Sequence, residues 1–267
     1  MGDQARAYAH LIGGQFRSMV SYRLSFLVEM ISHSLTVVLD ISTVLVLFGA
    51  GRRVGGFTLE EALLVAGLSS VGFALADLLV GNVDHLKTYV RSGLMDVILV
   101  RPLGSLWQLL CMDLPFRKVL RVVLAGVVLA IAVRLNDLDW TPARVVLLVV
   151  TPLAGLVFFG AIFVLSASLA FWWVDSGEIG SAFTYGGRDF TTYPVPVYAA
   201  WFRAVFAYAL GFGFVAYQPA LTLLGRTDPL GLPAWAGYLS PLVALVAAAV
   251  AALAWRAGIR HYRSTGS

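Results

Sequence analysis

The sequence predicts an all-α, polytopic membrane protein of about six transmembrane helices, with an interfacial helix ahead of them and a cytoplasmic helical element between the second and third. Three observations carry the prediction. Of 267 residues, 59% are hydrophobic and 13% charged, roughly half the charged share of a soluble domain. The apolar residues fall in runs of the length that crosses hydrocarbon, about 20 residues for about 30 Å. The basic residues gather at the ends of those runs, without the interleaved aromatics of a nucleic-acid surface. The net charge of +4 therefore reads as orientation in a membrane, and no nucleic-acid partner is expected.

Spans are expected at Leu24–Ala50, Glu61–Val83, Leu106–Val133, Arg144–Trp173, Ala199–Leu224 and Gly237–Ala257. Together they form one transmembrane domain over residues 1–267. Six spans put both termini on one side. With the termini inside, fourteen of the 19 Lys and Arg lie inside, and the positive-inside rule favours that orientation against the Arg52–Arg53 pair. Met1–Arg23 lacks the apolar core of a cleavable signal peptide, so the first span is expected to direct insertion. Cys111 is the single cysteine, which excludes an intrachain disulfide and a Cys-pair metal or redox motif.

Two segments outside the spans have helical periodicity. Within residues 1–23, Tyr8, Leu11, Ile12, Phe16 and Met19 fall on one line, as in an amphipathic helix lying in the interface; an early start of the first span is the plainer alternative. Within residues 84–105, Leu86, Tyr89, Val90, Leu94, Val97 and Ile98 repeat at helical spacing, Gly93 allows a bend, and Pro102 ends the pattern. That apolar face needs cover from headgroups, from the rest of the chain or from a soluble partner. Residues 223–236, with Gly225, Pro229, Gly231 and Pro233, have the composition of an outer loop that dips back toward the membrane. Trp235 and Tyr238 read as interfacial anchors.

The first span carries the most polar stripe. Ser25, Glu29, Ser32, His33, Thr36, Asp40 and Thr43 fall on one narrow face at about 100° per residue. Carboxylates and a histidine facing lipid would cost several kcal/mol each, so the stripe must face a bundle interior, a water-filled path or another subunit. A transport route and hydrogen-bonded packing between helices explain it equally well. A metal or catalytic reading of Glu29 with His33 lacks further ligands.

Elsewhere, Ala62, Ala66, Ser70 and Ala74 form a small-xxx-small pattern for close helix packing. Asp77, near the cytoplasmic end of the second span, is expected among headgroups. Asp113 and Pro115 suggest a tolerable kink in the third span, and Gly211, Gly213 and Pro219 a bend or break in the fifth. No GxxxxGK[ST] phosphate loop is present. Gly67-Leu68-Ser69-Ser70 is not a GxSxG elbow.

Five segments, in order along essentially the whole chain, resemble the permease subunits of type-2 ATP-binding-cassette (ABC) exporters of the short-loop, six-span branch. They are VRSGLMDVILVRPL (Val90–Leu103), FWW followed by an acid (Phe171–Asp175), TYPVPVY (Thr192–Tyr198), FVAYQPALTLLG (Phe214–Gly225) and WRAGIRHYRSTGS (Trp255–Ser267). The resemblance implies a non-catalytic membrane subunit of an exporter in the cell membrane. Two ATPase subunits would bind ATP and Mg²⁺, and this chain no cofactor. A second permease, the same chain or a sister, would complete the path for an amphipathic, lipid-like or drug-like substrate.

In that family the segment between the second and third spans is the coupling helix. The resemblance carries that role onto Tyr89, Arg91, Gly93, Leu94, Asp96, Leu99, Arg101 and Pro102. It implies a path lined by Ser25, Glu29, His33, Thr36 and Asp40 of the first span and by Tyr208 and Tyr217 of the fifth. The Gly/Pro-rich segment after the fifth span resembles the family's re-entrant gate. The rival reading is a proton-coupled secondary transporter using Glu29, Asp40 and His33, for which an inverted repeat would be expected and none is evident.

Overall fold

The computed structural model describes residues 53–112, 118–173 and 176–262, with scattered helical positions between Val28 and Gly49. The interfacial segment 1–23, along with Ser25, Glu29, His33, Thr36, Asp40, Asp113 and Pro115, lies outside the described residues.

Ahead of the first helix lies a tight turn in which Gly55 and Gly56 have φ +60° and +82°, left-handed values that favour glycine. Helix α1 (Leu59–Leu79) follows. Thr58 and Glu61 form a reciprocal capping box, which satisfies two orphan amide donors. Beyond α1 come a 3₁₀ turn (Gly81–His85), α2 (Leu86–Arg91), α3 (Leu94–Val100) and α4 (Ser105–Met112). Next are α5 (Val119–Leu135) and α6 (Pro142–Ser168), the latter extended by a 3₁₀ turn to Phe171. Thr141 caps α6, with Pro142 in its first turn. The chain continues through α7 (Gly177–Thr192), α8 (Ala200–Phe202), a π-helix (Arg203–Ala209), α9 (Tyr217–Leu224) and α10 (Ser240–His261).

The protein is thus an all-α polytopic membrane protein. Among the described residues, Leu59–Leu79, Pro142–Phe171 and Ala234–His261 are long and apolar enough to cross a membrane. They match the expected second, fourth and sixth spans. Of the expected third, the described residues are those of α4 and α5.

Helix α1 is the centre of the bundle. A Cβ on Gly67 would meet the Leu129 Cα of α5 at 2.9 Å, and one on Gly72 the Gly155 Cα of α6 at 3.0 Å. These two glycines set the closest approaches, although Ala62, Ala66 and Ala74 of the small-residue stripe are also buried. On another side, Ser69 bonds Thr191 of α7 at 2.6 Å. Helix α10 packs along α6.

Two ends of the bundle follow from cross-links between elements. At the Glu61 end, Arg226 pairs with Glu61, Asn136 donates to the Glu60 carbonyl, and Val197 packs at Gly55. At the Asp77 end, Lys118 and Arg121 bind Asp77 and Lys87 pairs with Glu178. Helix α7 starts beside Lys87 and leads, through Tyr193–Val197, to Gly55 at the opposite end. Its composition (GEIGSAFTYGGRDFTT) gives no hydropathic signal, so it was not expected from the apolar runs.

The expected fifth span, Ala199–Leu224, is bent by 69° between Ala200–Ala209 and Phe212–Leu224, at the position where Gly211 and Gly213 led the sequence to predict a bend or break. Both limb ends lie at the Glu61 end: Val197, just before the first, packs at Gly55, and Arg226, just after the second, binds Glu61 and Gly56. The bend lies at Gly211 (φ +86°), against Phe158 and Val243. Phe158 is about 24 Å along α6 from Pro142 at 1.5 Å per residue, so the tip stops partway through the bundle.

Candidate coupling surface and buried polar network

The 84–105 element is a helix–turn–helix fastened to the Asp77 end. Gly93 (φ +70°) makes the turn between α2 and α3. Leu86, Val90, Met95 and Ile98 are fully buried with Leu109, Phe171 and Trp255. Buried amides complete the attachment: Asn82 Nδ2 donates to the Leu109 carbonyl at 2.6 Å, and Gln108 Nε2 to those of Ile98 and Leu103 at 3.1 and 2.9 Å. Tyr89 donates to Asn82 Oδ1 at 3.4 Å, and Trp255 of α10 donates to Ser105 at 3.3 Å.

This chain therefore covers most of the apolar face that needed a partner. A second face stays open. Arg91, Leu99, Arg101 and Pro102 are exposed, as are Val97 and Val100, the last at 86%. Tyr89, Gly93, Leu94 and Asp96 are half-buried. The eight predicted coupling residues thus lie on one rigid element, four on its surface and four at its base.

Directly behind it is a polar network. Asp77 is not among headgroups: it is 2% exposed and bridged by Lys118 Nζ at 2.6 Å and Arg121 Nη1 at 2.9 Å. Gly81 makes the room, since a Cβ there would lie 2.5 Å from Asp77 Oδ1. The guanidinium groups of Arg121 and Arg188 lie 5.1 and 5.5 Å from the Phe73 ring centroid, a favourable cation–π distance. Arg188 also pairs with Asp189 at 3.2 Å. Sequence reading could have found this cluster, because Lys118 and Arg121 share a helix face at i, i+3 and belong to the same end as Asp77.

Asp84, in the 3₁₀ turn that joins α1 to α2, accepts a hydrogen bond from Tyr185 of α7 at 3.2 Å. Burial pushes its carboxyl up to about 6, with smaller opposing contributions from Tyr185, Lys118 and Lys87. A raised carboxyl pKa means that Asp84 disfavours the fold once ionised, as pH rises from about 4 through 6. Asp84→Asn is therefore expected to melt higher than the native protein at pH 8, by on the order of 1–2 kcal/mol after allowance for solvent screening. The difference should shrink as pH falls through 6 and vanish only below about pH 4, under the unfolded carboxyl's own pKa; thermal unfolding in detergent across this range checks it.

Of the predicted path residues within the described region, Tyr208 is half-buried and Tyr217 is 2% exposed. Their hydroxyls converge on Asp228 at 3.4 and 3.2 Å, a residue the sequence reading did not single out. Tyr208 also borders a crevice of about 390 Å³ between the bend, α6 and α10, lined by Phe158, Ile162, Gly211, Val246 and Val250.

Over residues 15–266 the sequence matches the family model described as ABC-2 family transporter protein. The chain belongs to the ABC-2 transporter family. No curated protein and no solved structure matched it. An ABC-2 permease is a membrane transport component, not itself an ATPase, and works with ABC ATPase subunits. In this ABC-2 permease the element at 84–105 is a solid extension of α1, α4 and α10. Force applied to Arg91 or Leu99 would reach the bundle through the Gly81–His85 turn and the Trp255–Ser105 contact.

Proposed function

We propose that this chain is the permease subunit of an ATP-driven exporter, with the 84–105 element as its ATPase-docking surface. The observation that carries the reading is the fastening of that element to α1, α4 and α10, while Arg91, Val97, Leu99, Val100 and Arg101 face outward. A rigid body with a mixed basic and apolar outer face suits the groove of a soluble partner better than a lipid surface, which requires no such fastening. The partners are two ABC ATPase subunits, which bind ATP and Mg²⁺, and a second permease of the same or a sister sequence.

In this reading the Asp77 end is cytoplasmic, the termini are inside and the protein is multi-pass in the cell membrane. Six crossings are then the segment 24–50, α1, α4 with α5, α6, α7 and α10. The bent pair dips in from the outer side. Contacts from Lys87 to Gly55 support α7 as the fifth crossing. The path for an amphipathic substrate is assigned to Ser25, Glu29, His33, Thr36 and Asp40 on the first span together with Tyr208 and Tyr217. ATP-driven closure of the ATPases moves the docking surfaces, and the two permeases rock to open that path outward.

Arg91→Glu combined with Leu99→Asp is expected to reduce ATPase co-purification at least tenfold, since an interface anchor is commonly worth 2 kcal/mol or more. The folded permease should remain, because neither side chain is in the core. Undiminished co-purification and export by the double variant would overturn the docking assignment. Proton-dependent transport by the purified chain alone would favour the secondary-transporter reading.

A further inference from the structure

The two limbs of the bent pair are joined at one carboxylate. Asp228 Oδ1 accepts hydrogen bonds from Tyr217 Oη at 3.2 Å and the Leu230 amide at 3.0 Å. Its Oδ2 accepts from Gln218 Nε2 at 2.7 Å and Tyr208 Oη at 3.4 Å. An ionised carboxylate has about four acceptor positions, and all are used. Tyr208 belongs to the first limb, Tyr217 and Gln218 to the second, and Leu230 to the loop that leads to α10. The loop is built to present the side chain: the Asp228 carbonyl also accepts from the Gly231 amide at 3.1 Å, and Gly231 has φ +87°.

The limbs are not held equally. Arg226 anchors the second by its ion pair to Glu61, a 3.1 Å bond to the Gly56 carbonyl and a 4.6 Å approach to the Phe57 ring. Gln218 and Tyr217 are both buried. The first limb is different. Its Arg203 makes a long 3.4 Å bond to the Pro196 carbonyl, and its Phe202 and Phe206 pack on Phe190, Phe183 and Phe212. Aromatic packing tolerates sliding, whereas hydrogen bonds to a carboxylate are directional. The limb is also π-helical, a geometry found mainly at functional sites, and ends at the left-handed Gly211.

We propose that Asp228 is a positioning residue for transport: it latches the Ala200–Ala209 limb against the anchored α9 limb, and release of Tyr208 lets that limb swing about Gly211 during the cycle. The proposal rests on the transporter reading above. The swing would widen the crevice between α6 and α10 that Tyr208 borders.

Spin labels at Ala204 and Leu245, both exposed, report the limb position against α10 in a Cys111→Ser background in lipid nanodiscs. The native chain is expected to show one dominant distance. Tyr208→Phe, which leaves three donors on Asp228, should shift the population toward a longer distance about threefold, because the Tyr208 bond is long at 3.4 Å and is worth no more than an ordinary hydrogen bond. Asp228→Ala should do so at least as strongly, and in the assembled transporter should raise ATP turnover without substrate while lowering export. If Asp228→Ala fails to fold, Tyr208→Phe decides alone. A single unchanged distance in Tyr208→Phe, with native ATP turnover, overturns the latch. Failure of the native chain to associate with any ABC ATPase would instead overturn the transporter reading and leave the distance measurement intact.

Discussion

Asp77→Ala is expected to destabilise the permease by about 3–5 kcal/mol, because it leaves Lys118 and Arg121 buried without their carboxylate. Those side chains are 17% and 8% exposed, so water can take over the role of Asp77 only in part, at Lys118. The triad joins α1 to α5 behind the 84–105 element, and the loss should appear first as loosening there. The measurement is thermal unfolding of the purified chain in detergent, with amide exchange across Leu59–Leu79 and Val119–Leu135 as the local readout. A charge-free replacement, Asp77→Leu with Lys118→Met and Arg121→Met, should recover most of the stability, since exchanging a whole buried ion cluster for apolar side chains is often neutral or favourable. A melting point for Asp77→Ala within a degree of the native one would show that the cluster is solvated and contributes little.

Gly72→Val should be of similar severity for a different reason. A Cβ at this position lies 3.0 Å from Gly155 Cα and 3.2 Å from Gly155 C, and backbone atoms cannot rotate aside. The two helices would have to separate, costing about 3 kcal/mol or more by analogy with overpacked cores. Separation would also disturb the Ser69–Thr191 bond between α1 and α7. Gly126→Ala on α5 is the control. Nothing lies within 4 Å of a Cβ there, and alanine is favoured over glycine in a helix by about 0.5–1 kcal/mol. Size-exclusion profiles and melting temperatures should therefore move in opposite directions for the two variants. Equal behaviour would mean that the α1–α6 distance is not set by the glycine pair.

Much of the architecture is legible in the residue order because apolar length is a one-dimensional property. The runs around Leu59–Leu79, Pro142–Phe171 and Ala234–His261 need no partner to be recognised. Helix α7 shows the limit of that signal. Its Thr184, Arg188 and Thr191 are buried against other helices, so the polar side chains that remove it from a hydropathy reading are the ones that hold it in place. The Ala199–Leu224 run is apolar enough for a crossing, and its glycines marked the bend that the structure places at Gly211; hydropathy carries no information on the angle of that bend.

The 84–105 element was readable for a related reason. Helical periodicity between Leu86 and Ile98, a glycine at the turn and Pro102 at the end define a helix–turn–helix locally. Which side of it remains open was not readable. Leu86, Val90, Met95 and Ile98 are covered by Leu109, Phe171 and Trp255, residues up to 169 positions away in the chain. Asp228 was invisible for the same reason: a lone acid in a Gly/Pro-rich loop gains meaning only when Tyr208, Tyr217 and Gln218 converge on it.

The sequence by itself determined that this is an all-α membrane protein, where its longest apolar helices lie, and that residues 84–105 form a separate helical element. These follow from composition and from periods of a few residues, which short-range physics reads directly. Only the tertiary structure decided that Asp77 is the buried partner of two cations, how far Ala199–Leu224 bends at Gly211, and that one carboxylate ties its limbs together. Each depends on which distant groups share a low-dielectric space, where an unpaired charge is costly and a paired one is tolerated.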